Sequence, residues 1–208
     1  MPGARTDYKW WYGGILLLML SACATDPPVN PRNICAVFRE KNGWYADARR
    51  AFKKWGVPIH VQMAIIYQES RFQPTARPPR RRWLGFIPTT RPTSAYGYAQ
   101  VKDETWDWYL QKTGNQGADR DDFADAVDFV GWYGRLSQTR LGISKWDAYR
   151  QYLAYHEGQG GYRKKSYRKK AWLLKTAHKV DANARRYRRQ LAGCREELEH
   201  QHPWYWPF

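Results

Sequence analysis

Two cysteines, Cys35 and Cys194, bracket nearly all of the chain that can fold. A third, Cys23, closes an apolar stretch, GGILLLMLSAC, which follows Arg5 and Lys9 and gives way at once to the polar, proline-rich ATDPPVNPRN. Residues 1–22 read as a signal peptide, because the apolar core is shorter than the roughly 20 residues that a membrane span needs. With Cys23 set aside, an even pair remains in an exported chain. An oxidising compartment favours a disulfide between them, the alternative being two buried free thiols. The bond would tie the start of the folded domain to its end, and closing so long a loop stabilises by roughly 5 kcal/mol on the chain-entropy model.

The stretch 33–195 has the length of one domain with a real core, preceded by a short linker over 23–32 and followed by an aromatic tail over 196–208 that ends in HPWYWPF. Helical signals dominate it, and no stretch alternates polar and apolar residues between hairpin turns. CAVFREKNGWYADARRAFKKWG predicts one or two helices ending at Gly56. A helix with Pro58 at its first position follows, then one capped by Asp103 and stopped at Gly114. DDFADAVDFVGWYGRLSQTRLG ends at Gly142, and SKWDAYRQYLAYHEG, with Ser144 and Asp147 as a capping pair, stops in GQGG. The last helix, over 168–191, sets Leu173, Ala177, Val180, Ala184, Tyr187 and Leu191 on one apolar stripe. Between residues 73 and 93 lies a proline- and arginine-rich insert, which its prolines make a loop expected to border the site, either as a basic rim that grips an acidic glycan or as a solvated loop. The class is mainly α.

The formal net charge is +16, and residues 163–195 alone carry thirteen Lys or Arg against Asp181. Such a chain meets a polyanion. For an exported protein that partner is not nucleic acid but wall carboxylates, lipid phosphates or lipopolysaccharide; the outer face of the last helix either holds such groups or is simply a solvated face.

Within this frame Glu69 stands out. It closes the otherwise apolar run VQMAIIYQ, on a helix face where Ile59, Met63 and Ile66 form a stripe that Glu69 and Ser70 continue. A carboxyl pointing where a core would be is either paired, or kept desolvated with a raised pKa and so suited to proton transfer.

Three short pieces carry a resemblance. ESRF is similar to the Glu-Ser motif of the lytic transglycosylases and the related goose-type lysozymes, SAYGYAQV to their Gly-Leu-Met-Gln piece, and LAYHEG to their Ala-Tyr-Asn-Ala-Gly piece. The order and distances agree as well. The resemblance implies a lysozyme-like fold, peptidoglycan as the substrate, Glu69 as the catalytic acid and Ser70 as its supporting hydroxyl. It implies sugar contacts from Gly97, Tyr98, Gln100, Tyr155, His156 and Glu157, with Tyr155 aimed at the reacting region or at Glu69. Trp83, Trp106 and Trp108, if exposed, could stack on sugar faces, but core burial is the expectation for most of the twelve tryptophans. At the other end of the chain, Leu20-Ser21-Ala22-Cys23 resembles the lipobox of bacterial lipoproteins, in which the Cys is lipid-modified. Ala24 after it implies sorting to the outer membrane, facing the periplasm.

The chemistry of these residues agrees with the resemblance. Cleaving a glycosidic bond requires a proton for a poor leaving group, hence one carboxyl protonated near neutral pH. Hydrolysis adds a second carboxylate. The transglycosylase route, as the resemblance implies, does without it, because the same group recovers a proton from the C6 hydroxyl of the sugar as that oxygen closes a 1,6-anhydro ring. His156 and Glu157 depart from the family pattern, and Glu157 could supply a hydrolase's second carboxylate; a non-catalytic wall-binding protein is the reading from another class. The five histidines show no metal-ligand spacing and there is no phosphate-cradling loop, so no cofactor or metal is expected.

Overall fold

The computed structural model describes residues 26–80, 82–84 and 87–201. The expected signal segment, Cys23 as the expected lipidation site, and the tail beyond residue 201 lie outside the described residues. Among those described, seven α-helices run in order: α1 (Ile34–Glu40), α2 (Trp44–Trp55), α3 (Ile59–Ser70), α4 (Asp103–Thr113), α5 (Phe123–Leu141), α6 (Ala148–Arg163) and α7 (Ala171–Gln201). The insert between α3 and α4 holds one small antiparallel pair, β1 (Arg82–Trp83) with β2 (Ile87–Pro88), with Trp83 opposite Ile87. The class is mainly α, as the helical patterning predicted.

Gly56, Gly114 and Gly142 end α2, α4 and α5 in left-handed geometry, where the sequence placed them. Several starts differ. Pro58 is the N-cap of α3 rather than its first helical residue. Asp103 opens α4 instead of capping it, and its carboxylate pairs with Arg120 at 2.7 Å. Asp147 caps α6, accepting from the amide of Arg150 at 2.9 Å, while Ser144 accepts from the Trp146 amide one turn earlier. The final helix begins at Ala171, after a 3-10 turn over Ser166–Lys169, and continues to Gln201, past the expected end of the domain.

The largest difference concerns α3. Instead of one apolar stripe it is buried on all sides, with His60, Val61, Gln62, Met63, Ala64, Ile65 and Ile66 all inside. It packs against α2, α5, α6 and α7. A helix apolar all round is stable only when other elements cover every face. α5 comes close to α2: a Cβ added at Gly131 would meet the Trp55 ring at 2.8 Å. At the other end of α2, Trp44 stacks on Phe123 with centroids 3.8 Å apart, and Tyr98 meets the Trp44 ring edge-on at 5.6 Å.

The stripe on α7 is as expected, with Leu173, Ala177, Val180, Ala184, Tyr187 and Leu191 all buried, and Cys194 and Leu198 extending it. Cys194 is bonded to Cys35, with Cα atoms 6.1 Å apart. Polar contacts reinforce that seam. Gln190 accepts from the Ile34 amide at 3.0 Å and donates to the Arg32 carbonyl at 3.3 Å, Tyr187 donates to the Pro31 carbonyl, and Arg39 donates to Glu197 at 2.8 Å. Replacing both Cys35 and Cys194 by Ser is expected to lower stability by about 2–5 kcal/mol. The seam's hydrogen bonds keep the fold otherwise intact. Denaturant unfolding of the variant against the oxidised protein, with reductant affecting only the latter, checks it.

Candidate active site

Glu69 lies in the last turn of α3. The chain leaves that helix through two successive residues in the left-handed region, Arg71 (φ 54°) and Phe72 (φ 64°), a costly geometry for side chains other than glycine. Phe72 is fully buried against Trp44 and Tyr67, and this packing holds the turn. The helix end is thereby fixed, with the Glu69 carboxyl facing a cleft of about 550 Å³.

Besides Thr105 of α4, the cleft draws its walls from four places. α5 gives Phe129 and Tyr133; the segment after the insert gives Gln100, Val101 and Lys102; the kink region of α6 gives Tyr155, His156, Glu157 and Gly158; Pro78 and Thr93 come from the insert itself. The insert thus borders the site, as expected, and its arginines are partly committed. Arg91 donates to the Pro78 carbonyl at 2.7 Å, and Arg77 lies 4.1 Å over the Tyr96 ring.

Burial among these rings pushes the pKa of Glu69 up to about 7, and a hydrogen bond from the Tyr152 hydroxyl partly offsets the rise. Its position at the C-terminal end of α3, where the helix dipole disfavours a negative charge, acts in the same direction as burial. Tyr152 is in turn pushed to higher pKa by burial and by the carboxylate, so it remains a donor.

The other expected site residues divide. Tyr155 lines the cleft, but its hydroxyl donates to the carbonyl of Ala99 at 2.6 Å rather than to Glu69. Gln100 is also at the cleft, with φ 49°, and its Nε2 donates to the carbonyls of Ala76 (2.8 Å) and Gly97 (2.9 Å), leaving Oε1 as the atom to face a ligand. Gly97 is needed for a close approach, though not to a sugar. At φ 80° it packs on the chain's own backbone, and an added Cβ would sit 2.0 Å from the Arg120 carbonyl oxygen. Tyr98 is a core residue, 1% exposed, edge-on to the stacked rings of Trp44 and Phe123. Ser70 is buried and donates back to the Ile66 carbonyl at 3.3 Å, which ties it to its own helix. Trp106 is buried among Tyr109 and Phe129, and Trp108 packs edge-on against Trp132, so neither lines the cleft. The side chain of Trp83 lies outside the described residues.

Glu157 is the other acid of the cleft. Its side chain is 3% exposed and both oxygens are occupied: Oε1 accepts from Lys170 at 2.6 Å and faces His156 Nδ1 at 3.2 Å, while Oε2 accepts from Ser166. Burial alone would raise its pKa, but these donors and the Lys170 charge outweigh it and hold the carboxyl below the usual range. The group is a clamp between the α6 kink and the start of α7. At that kink Gly158 takes φ 70° and ψ 163°, a conformation that only glycine adopts easily.

Two residues at the site are absent from the sequence reading. Tyr152 precedes Tyr155 by three positions on α6, a spacing that puts both on one helix face, and that spacing is the signal that could have found it. Trp172, 56% exposed, sets its ring 5.0 Å from His156 at the cleft rim. Nothing in its local sequence distinguishes it from the tryptophans of the core. No group of His, Cys, Asp or Glu among the described residues is arranged to hold a metal ion.

The family whose sequence model matches the chain is described as Transglycosylase SLT domain, and the match covers residues 12–194. Comparison with curated proteins gives no match, and neither does comparison with solved structures.

The raised pKa of Glu69 has a consequence for stability. A carboxyl with a folded pKa above its unfolded one stabilises the fold below the unfolded value, near 4.5, and loses that contribution as pH rises through about 7. Replacing Glu69 by Gln removes the dependence. The variant should match the native protein at pH 4 and exceed it at pH 8 by up to about 3 kcal/mol, which urea unfolding at the two pH values measures.

Proposed function

As the chain belongs to the transglycosylase SLT domain family, with its mainly α, lysozyme-like fold, we propose that it is a peptidoglycan lytic transglycosylase in which Glu69 is the single acid and base. One observation carries this reading: a carboxyl that keeps its proton near neutral pH in an aromatic-walled cleft, while the cleft's other acid, Glu157, has both oxygens engaged. Hydrolysis with Glu157 as a second carboxylate would first have to break that clamp.

A glycan strand lies along the cleft with the β-1,4 bond between MurNAc and GlcNAc over Glu69. The carboxyl gives its proton to the glycosidic oxygen, and the leaving sugar departs. The carboxylate so formed accepts a hydrogen bond from Tyr152, which stabilises the charge at the moment it appears. It then takes the proton of the C6 hydroxyl as that oxygen bonds to C1, closing the 1,6-anhydro ring and restoring the acid. Gln100 Oε1 accepts from a sugar hydroxyl or amide. Tyr155 acts through the backbone, pinning the Ala99 carbonyl and with it the loop that carries Gln100. Trp172 offers an exposed indole face at the rim on which a sugar ring can stack.

Glu69→Gln should reduce release of soluble fragments from sacculi by about 10²–10⁴-fold, the scale of general acid catalysis, while binding to sacculi persists. Products of the native protein should carry 1,6-anhydro ends, one water lighter by mass spectrometry than reducing ends. Reducing ends would transfer the chemistry to a hydrolase, and no release at all would leave a wall-binding protein. The rate should fall as pH rises through about 7, where the acid loses its proton. Tyr152→Phe, which removes the one donor that lowers this pKa, should move the fall to higher pH.

The same reading includes an anchor. Lipidation at Cys23 would hold the protein on the outer membrane, facing the periplasm, close to its substrate. The exposed cations of α7, among them Lys175, Lys179, Arg188 and Arg189, would face anionic headgroups or the wall. No helix among the described residues is long and apolar enough to cross a membrane. Cys23→Ser is expected to shift the protein from the membrane pellet to the soluble periplasmic fraction; unchanged pelleting would remove the lipid from the account.

A further inference from the structure

A second hollow, of about 430 Å³, opens beside the cleft and has a different chemistry. Four cationic side chains converge on it: Arg140 from the end of α5, Arg150 from the first turn of α6, and Arg163 and Lys165 from the turn after the kink. Tyr162 and Tyr167 form a wall, their rings stacked at 5.1 Å. One acid stands at the edge, Asp147, whose Oδ2 is 3.5 Å from Arg150 Nε. The balance is strongly positive. The side chains of Arg163 and Lys165 have no hydrogen-bond or ion-pair partner among the described residues. Lys165 also sits at φ 57°, a conformation that non-glycine residues seldom take, so the turn presenting these two cations is held against a local preference.

The hollow is joined to the cleft by one residue. Gln159 follows Gly158 of the cleft; its backbone is hydrogen-bonded to the Tyr133 hydroxyl on the cleft wall, and its side-chain Oε1 accepts from Arg140 Nη1 at 3.0 Å. A ligand held in the cleft therefore has the cations within one residue's reach of its binding surface. Four like charges gathered around a single carboxylate, that of Asp147, repel one another, and a bound anion relieves that repulsion.

We propose that this hollow is a carboxylate subsite that holds the acidic peptide stem of the glycan strand being cut. The inference rests on the proposed peptidoglycan substrate and goes beyond it, since it assigns stem recognition to residues with no part in the bond-breaking chemistry. The guanidinium groups of Arg140, Arg150 and Arg163 suit carboxylates, which they bind in a planar fork, and Lys165 adds a point charge. The stacked tyrosines offer an apolar wall to the stem's aliphatic parts. A strand without stems, or one whose stem carboxylates are amidated, leaves the cations unneutralised and binds less well.

The test uses the full folded domain, native and with Arg163→Gln and Lys165→Gln together. Titration with a synthetic stem tripeptide bearing free carboxylates should show binding to the native protein that weakens at least about 5-fold in the double variant and fades with added salt. The amidated tripeptide should bind weakly to both. With glycan strands as substrate, the variant should raise KM for stem-bearing strands by a similar factor with kcat unchanged, and should cleave stem-free strands as the native protein does. Equal binding of free and amidated tripeptide, or equal losses on both kinds of strand, overturns the proposal. So does a loss confined to vesicles containing phosphatidylglycerol, which would make the hollow a phosphate site for lipid. The tripeptide titration needs no turnover: if no strand is cleaved, the catalytic reading fails while the titration still decides the subsite.

Discussion

The desolvated carboxyl of Glu69 is the point on which the site depends, and it can exist only because α3 has no free face. A helix so apolar must be enclosed, and α2, α5, α6 and α7 enclose it. The last turn alone reaches an opening, and there the chain turns away through Arg71 and Phe72. The carboxyl is thus carried on an enclosed helix while facing its cleft. Hydration that would ionise it is excluded by Phe129, Tyr133 and Tyr155, and the hydroxyl of Tyr152 meets the charge that remains. Enclosure and low polarity have the same origin, the packing of one helix by four others.

The surrounding polar groups serve mainly to hold backbone. Tyr155 pins Ala99, Gln100 bridges Ala76 and Gly97, and Gly97 rests against Arg120, so the loop opposite Glu69 is fixed by its own contacts. Glu157 does the same for the other wall by joining the α6 kink to Lys170 and Ser166. An ionised carboxylate near a neutral one would ordinarily raise the neutral one's pKa further. Neutralised by Lys170, Glu157 exerts less of that effect, which leaves burial as the main control on Glu69. The division of labour between the two acids follows from their partners: a tyrosine hydroxyl for one, and an ammonium, a serine and an imidazole for the other.

The long basic helix α7 has two roles that its amphipathic pattern keeps apart. Its apolar stripe covers α3 and, through Cys194, Gln190 and Tyr187, fastens the N-terminal segment. Its outer face and the turn before it hold cations in excess of nearby acids. Some of these are spent within the fold, as Lys170 is on Glu157 and Arg185 on Asp181. Others remain at the surface or around the second hollow. Their charges are unneutralised within the domain, which is the physical reason to look for an anionic partner there.

The sequence by itself determined what depends on local pattern or on residue type. Helix ends at Gly56, Gly114 and Gly142 follow from the left-handed geometry glycine tolerates, the α7 stripe from its period, the Cys35–Cys194 pair from counting, and Glu69 from its misplacement in an apolar run. Only the tertiary structure decided which residues meet. Neighbours in a motif went to opposite sides of the fold: Tyr98 into the core and Gln100 into the cleft, because the turn at Gly97 rotates each successive side chain to a different direction. Tyr152 rather than Tyr155 reached Glu69, since the rotation of α6 about its axis is set by its packing on α5 and α7 and not by its own sequence. Glu157 became a clamp because Lys170, thirteen residues away along the chain, is brought back to it by a kink and a 3-10 turn. Period and residue type are properties of a segment, whereas the partner of a side chain is fixed by the orientation of every element around it.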